Sequence, residues 1–134
     1  MTGSQSDKAG SESKTSSLRV SSAKSRGAAV IGLQGDLIGS EVAHFRRACG
    51  EAEREGLNNW VVDMAEVESI DGYGLASLVG LLSRARRSDG RVVLCGINPD
   101  LRKRFEATHC DSIFEIDFTV AKAVDKLSRK AEDK

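Results

Sequence analysis

A single α/β domain, in which a mostly parallel sheet is entered through an antiparallel hairpin, is what this sequence predicts, on three observations. Short apolar runs, too brief for helices, alternate with stretches of helical periodicity in the approximate order ββαβαβαβα, giving about five strands. The helical stretches are long enough to act as crossovers, and strands joined that way are normally parallel neighbours with right-handed connections. At 134 residues the chain can bury one real core and not two of ordinary size.

Residues 1–17, "MTGSQSDKAGSESKTSS", are small, polar or charged apart from Met1 and Ala9, too little apolar surface to offset ordering, and read as a disordered tail. The domain is expected over residues 18–128, with 129–134 a flexible end. It opens with "LRVSS" and "AAVIGLQGDL", two runs separated by the turn-like "AKSRG". Ser40 is placed to cap a helix whose apolar face carries Val42, Phe45, Cys49 and Ala52 and which ends by Gly56. "NNWVVDMAEV" reads as an inner strand, because Trp60, Val61, Val62 and Met64 leave neither face polar.

The next helix shows Leu75, Leu78, Val79 and Leu82 at helical spacing and ends in a basic turn before Gly90. "RVVLCGI" supplies another strand, and Asn98 and Pro99 open a helix through Leu101 and Phe105. "SIFEI" is a short strand, and Val120, Val124 and Leu127 mark a closing helix.

Composition narrows the function by exclusion. Twenty acidic residues balance twenty basic ones, so no global field favours nucleic acid or an anionic membrane. Cys49, Cys95 and Cys110 are odd in number and widely spaced, which argues against a disulfide framework or zinc site and for a reducing, cytoplasmic setting. No apolar run suits a membrane span or secretory signal. His109 and Cys110 adjoin but lack further ligands, and a histidine near a helix C-terminus is ordinary. Arg84, Arg86, Arg87 and Arg91 form a local basic patch, without the aromatic interleaving of a nucleic-acid surface. Neither "GDLIG" nor "DGYG" has phosphate-cradle spacing, and no catalytic set stands out, so neither an enzyme nor a cofactor or metal is expected.

One stretch asks for more. "SIDGYGLASL" lies at a strand-to-helix junction, the usual functional edge of an open α/β sheet, and spends two glycines in a first helical turn. Each costs roughly 1 kcal/mol relative to alanine in a helix interior. With Asp71 as N-cap, Gly72 and Gly74 take the first and third helical positions, and Tyr73 points away from the apolar face. The glycines either admit a partner backbone or an anion, or let Gly74 pack against a strand; the sequence leaves both open.

The segment "WVVDMAEVESIDGYGLASLVGLLSRARRSDGRVVLCGIN" resembles the central part of a STAS domain, the module of bacterial anti-sigma factor antagonists and sulfate transporter tails. Asp63, Asp71, Gly74 and Leu75 match the family's strand and its Asp-Ser-Ser/Thr-Gly turn, and "VIGLQGDL" resembles its earlier strand. The resemblance covers roughly Leu18 to Leu127. It implies helices largely on one face of the sheet and a binding module rather than an enzyme. It also implies a partner-facing edge formed by Asp36, Leu37, Ile38, Gly39 and Ser40 with Asp71, Gly72, Tyr73, Gly74 and Leu75.

In the antagonists a kinase that is also the anti-sigma factor phosphorylates the second hydroxyl residue of the turn. Here Gly72 and Tyr73 replace the two hydroxyl residues, and Ile38 stands where many members carry an acidic or amide residue. Tyr73 keeps a hydroxyl at the acceptor position, but a phenol reaches farther than a site shaped for serine. Ser69 and Ser77 are alternative acceptors, with capping and surface placement as their ordinary reading. The resemblance thus implies a protein partner, either a kinase-like anti-sigma factor or a related sensory regulator, met without the usual serine switch. The alternative is a cytoplasmic STAS subunit of an ABC-type lipid transport system, whose partner would be the ATPase. Direct membrane insertion is not expected, and a homodimer is left open.

Overall fold

Strand formation begins immediately after the polar tail. The computed structural model describes residues 18–132, so the expectations for 1–17 and 133–134 lie outside the described residues. Strand β1 (Arg19–Ser25) pairs antiparallel with β2 (Ala28–Gln34), Ser25 opposite Ala28. The turn is tighter than the sequence suggests: only Arg26 and Gly27 form it, at φ of 50° and 86°. Two left-handed residues match the twist of the flanking strands, so Ala23 to Ser25 extend β1 instead of joining the turn.

A 3-10 turn (Gly39–Glu41) leads into α1 (Val42–Arg54). Ser40 lies inside that turn rather than capping the helix, and no side chain caps α1. Next come β3 (Trp60–Glu66), α2 (Gly72–Arg87), β4 (Val92–Cys95), α3 (Pro99–Ala107), a 3-10 turn (Cys110–Ser112), β5 (Glu115–Asp117) and α4 (Val120–Glu132). Strand β5 starts three residues later than "SIFEI" implies, because Phe114 is drawn into the core, where it meets Phe105 edge to face at 6.1 Å. Helix α4 continues past residue 128, the expected domain boundary.

The sheet order is β1-β2-β3-β4-β5, with β2 to β5 parallel. Alternation along β3 explains its dense apolar sequence. Trp60, Val62 and Met64 face a core filled from α1, α2 and α3, whereas Val61 faces a smaller cluster with Val93, Cys95 and Ala123, Val124 and Leu127 of α4. Where both faces are covered, from Trp60 to Val62, the strand is continuously apolar, and the polar Asp63 and Glu66 come only toward its carboxyl end, where burial is incomplete. The helices are therefore largely on one face, three against one.

Three of the four arginines of the basic patch, Arg84 and Arg86 at the end of α2 and Arg91 after it, are engaged within the fold, whereas Arg87 is exposed. Arg84 Nε reaches Glu53 at 2.8 Å, Arg86 donates to the carbonyl of Ile113, and Arg91 holds Glu115 at 2.8 and 2.5 Å. Burial, above all, pushes the Cys49 and Cys95 thiols up to about 12, so neither supplies a thiolate near neutral pH.

Candidate functional site

Four parallel strands end along one edge of the sheet, and the connections leaving β2 and β3 meet there. Gly35 N donates to the carbonyl of Glu66 at 3.0 Å, Leu37 N to that of Ser69 at 3.0 Å, and Leu37 and Ile70 form an isolated parallel bridge. Two loops 30-odd residues apart in sequence thus continue the sheet for one more step, with Leu37 and Ile70 buried beneath them.

Asp71 fastens this junction. One carboxylate oxygen accepts from Gly74 N at 2.9 Å, the N-cap bond that the sequence predicts. The other accepts from Gly39 N, also at 2.9 Å, a bond that no local pattern announces. A single side chain therefore starts α2 and ties it to the β2 loop, bringing together the two segments expected to form the partner-facing edge. The amide of Gly74 first, then that of Gly39, holds the Asp71 carboxyl below its ordinary value of 3.8.

That shift predicts a pH dependence. A depressed carboxyl contributes stability that is fully present above its unfolded pKa and is lost as pH falls through the lower folded value. The stability difference between the wild type and Asp71→Asn should therefore be constant near neutrality and shrink with acidification below about pH 4, measured by urea unfolding at a series of pH values. A difference independent of pH would show that the charge is not what Asp71 contributes.

Around this anchor Tyr73 is 68% exposed, standing on the first turn of α2 beside exposed Gly72. Ile38, Gly39 and Asp36 are half-buried, Ser40 is exposed, and Leu75 is partly packed on the core. The buried stripe of α2 is Gly74, Ser77, Leu78, Leu81, Leu82 and Ala85, rotated from the expected one. Ser77 is accordingly buried, its hydroxyl donating to the Gly74 carbonyl at 2.7 Å, so it is not a surface residue; Ser69 is exposed.

The two loops also share a charge that the balanced composition conceals. Residues 35–41 and 65–71 carry Asp36, Glu41, Glu66, Glu68 and Asp71, and no lysine or arginine. Farther along the same edge, beyond β5, lies Phe118, 79% exposed and missed by the sequence reading. Its only local signal was an aromatic placed after a strand had ended. A cleft of about 490 Å³ lies at the opposite end of the sheet among Glu53, Trp60, Arg84 and Arg87, where Glu53 and Arg84 are paired with each other.

Comparison with known proteins agrees with this architecture. The family model of the STAS domain matches residues 19–123. A Thermotoga maritima protein named for the anti-sigma factor antagonist class is 29% identical over 76 residues, 57% of this chain and 67% of its own. A crystal structure of a protein of that class from Thermotoga maritima superposes with a TM-score of 0.76 at 20% identity, over 81% of this chain and 93% of the other. The Bacillus cell fate determinant SpoIIAA in its phosphorylated form does so with a TM-score of 0.63 at 21% identity, over 82% and 98%.

Proposed function

The chain belongs to the STAS domain family, and from that premise we propose that it is an anti-sigma factor antagonist-like interaction module of bacterial regulation, which docks a kinase-like anti-sigma factor or sensory regulator through the Asp71 junction. The observation that carries this reading is the exposed Tyr73, held on a rigid turn by the two hydrogen bonds of Asp71. Tyrosine brings a large, amphipathic contact surface at little conformational cost, and such residues dominate binding energy at interfaces. The carboxylates of both loops suit a cationic patch on the partner.

Gly72 and Tyr73 occupy the positions where the family's switch requires hydroxyl residues of serine or threonine type. Docking on this turn is therefore independent of serine phosphorylation. The setting is cytoplasmic; among the described residues no helix is long and apolar enough to cross a membrane. The transport-subunit reading draws support only from the same missing hydroxyls, whereas the regulator reading also has the relatives' names behind it.

The test is an affinity pull-down from the native cells with the wild type and Tyr73→Ala as baits, and mass spectrometry of both captured proteins and bait phosphorylation. Recovery of a kinase-like anti-sigma factor by the wild type, with Tyr73 unmodified, is the expected result. Its affinity for Tyr73→Ala should fall about tenfold or more, the effect of losing a central aromatic contact. Capture of an ATPase with a permease would favour transport, and unchanged affinity on truncation would remove Tyr73 from the interface.

A further inference from the structure

Of the six aromatic residues, Trp60, Phe45, Phe105 and Phe114 are buried, and only Tyr73 and Phe118 are well exposed. Both stand at the same edge of the sheet: Phe118 follows β5, two strands from β3, on the order of 10 Å across. Phe118 is not a bare protrusion. Together with Ile97, Pro99 and Arg102 it lines a cleft of about 180 Å³ between the starts of α3 and α4.

The charge of this corner is opposite to that of the Tyr73 loops. Residues 99–104 and 118–122 carry Arg102, Lys103, Arg104 and Lys122 against Asp100 alone. Lys122 Nζ lies 5.9 Å from the Phe118 ring centroid, a cation over an aromatic face. Neither it nor Arg102 pairs with a carboxylate among the described residues. Asp117, the acidic residue of the cleft wall, is already committed: it accepts from Phe118 N at 2.8 Å and pairs with Lys126 at 3.6 Å.

We propose that this cleft is a second docking site, which receives an apolar side chain from an acidic segment of a protein partner. The apolar walls of Ile97, Pro99 and Phe118 take the side chain, and Arg102 and Lys122 take the flanking carboxylates. Its size argues for a side chain rather than a free small molecule, whose pockets commonly run from about 300 to 1,000 Å³. The inference extends the docking reading above: the edge is polarised, acidic around Tyr73 and basic around Phe118, and a partner with complementary halves can sit in only one direction.

The test is an NMR titration of the isotope-labelled full chain with a short synthetic peptide, a Leu-Phe pair flanked by glutamates, and with its lysine counterpart. Saturable shifts at Gly96, Ile97, Arg102, Phe118 and Lys122 with the acidic peptide alone are expected, weakened about tenfold by Phe118→Ala or Arg102→Glu and unaffected by Tyr73→Ala. No shifts there, equal shifts with both peptides, or changes on dilution without peptide, which would reveal a second copy as occupant, would each overturn the proposal. Because the probe bypasses Tyr73, such a failure leaves the Tyr73 interface to stand or fall on its own measurement.

Discussion

Gly74→Ala should destabilise the protein by about 3 kcal/mol or more, the upper range for forcing a methyl group into packed structure. Gly72→Ala, two residues earlier, should leave it unchanged or more stable by roughly 0.4–1 kcal/mol. A Cβ at position 74 would lie 2.2 Å from the Leu37 carbonyl oxygen and 2.6 Å from Ile70 Cγ1, whereas at position 72 it would meet nothing within 4 Å. The Leu37 oxygen cannot withdraw freely, because it belongs to the bridge with Ile70 and accepts from Asp71 N at 3.4 Å. Urea midpoints of the two variants decide the matter. A Gly74→Ala protein within 1 kcal/mol of the wild type would mean that the helix and the β2 loop do not touch as described.

The contrast resolves what the sequence leaves open about the two glycines. Gly74 is a packing residue, required because α2 starts directly against the neighbouring loop. Gly72 has no such constraint and is the one that leaves backbone accessible beside Tyr73. Sequence spacing could place both in the first turn, but their difference depends on Leu37, which is 37 residues away from Gly74 in the chain and adjacent to it in space.

The same division runs through the rest of the molecule. Period and punctuation located every described strand and α-helix, since Asn98 does cap α3, accepting from Leu101 N at 2.8 Å, as Asp71 caps α2. Local signals failed where a tertiary contact decided the outcome. Phe114 left its expected strand for the Phe105 contact, and the buried stripe of α2 turned to include Ser77, whose hydroxyl is satisfied by its own helix. At the site, Asp71 was legible as a cap and Tyr73 as an outlier on the helix face. The Gly39 bond and the basic cleft at Phe118 were not, because each joins loops that only the sheet order brings together.

Gly90→Ala is the second substitution expected to cost about 3 kcal/mol or more, and its position separates stability from docking. Its Cβ would lie 1.7 Å from the Asn58 carbonyl oxygen and 2.6 Å from the attached carbon. That approach is fixed from both sides: Gly90 N donates to the Ala85 carbonyl at 2.6 Å, Asn58 Nδ2 to that of Ser88 at 2.7 Å, and Arg91 N to Asn59 Oδ1 at 2.9 Å. Relieving the clash must displace the entry to β3 or β4, where Trp60 N donates to the Arg91 carbonyl at 2.8 Å. All of this lies at the amino-terminal ends of the strands, roughly 20 Å along β3 from the Tyr73 edge. Effects that far apart normally add, so the folded fraction of Gly90→Ala should bind the partner with wild-type affinity, and Gly90→Ala combined with Tyr73→Ala should show the sum of the two losses. If Gly90→Ala weakened binding as much as Tyr73→Ala after correction for the unfolded fraction, the partner would have to reach the opposite end of the sheet, and the docking surface could not be the Asp71 junction alone.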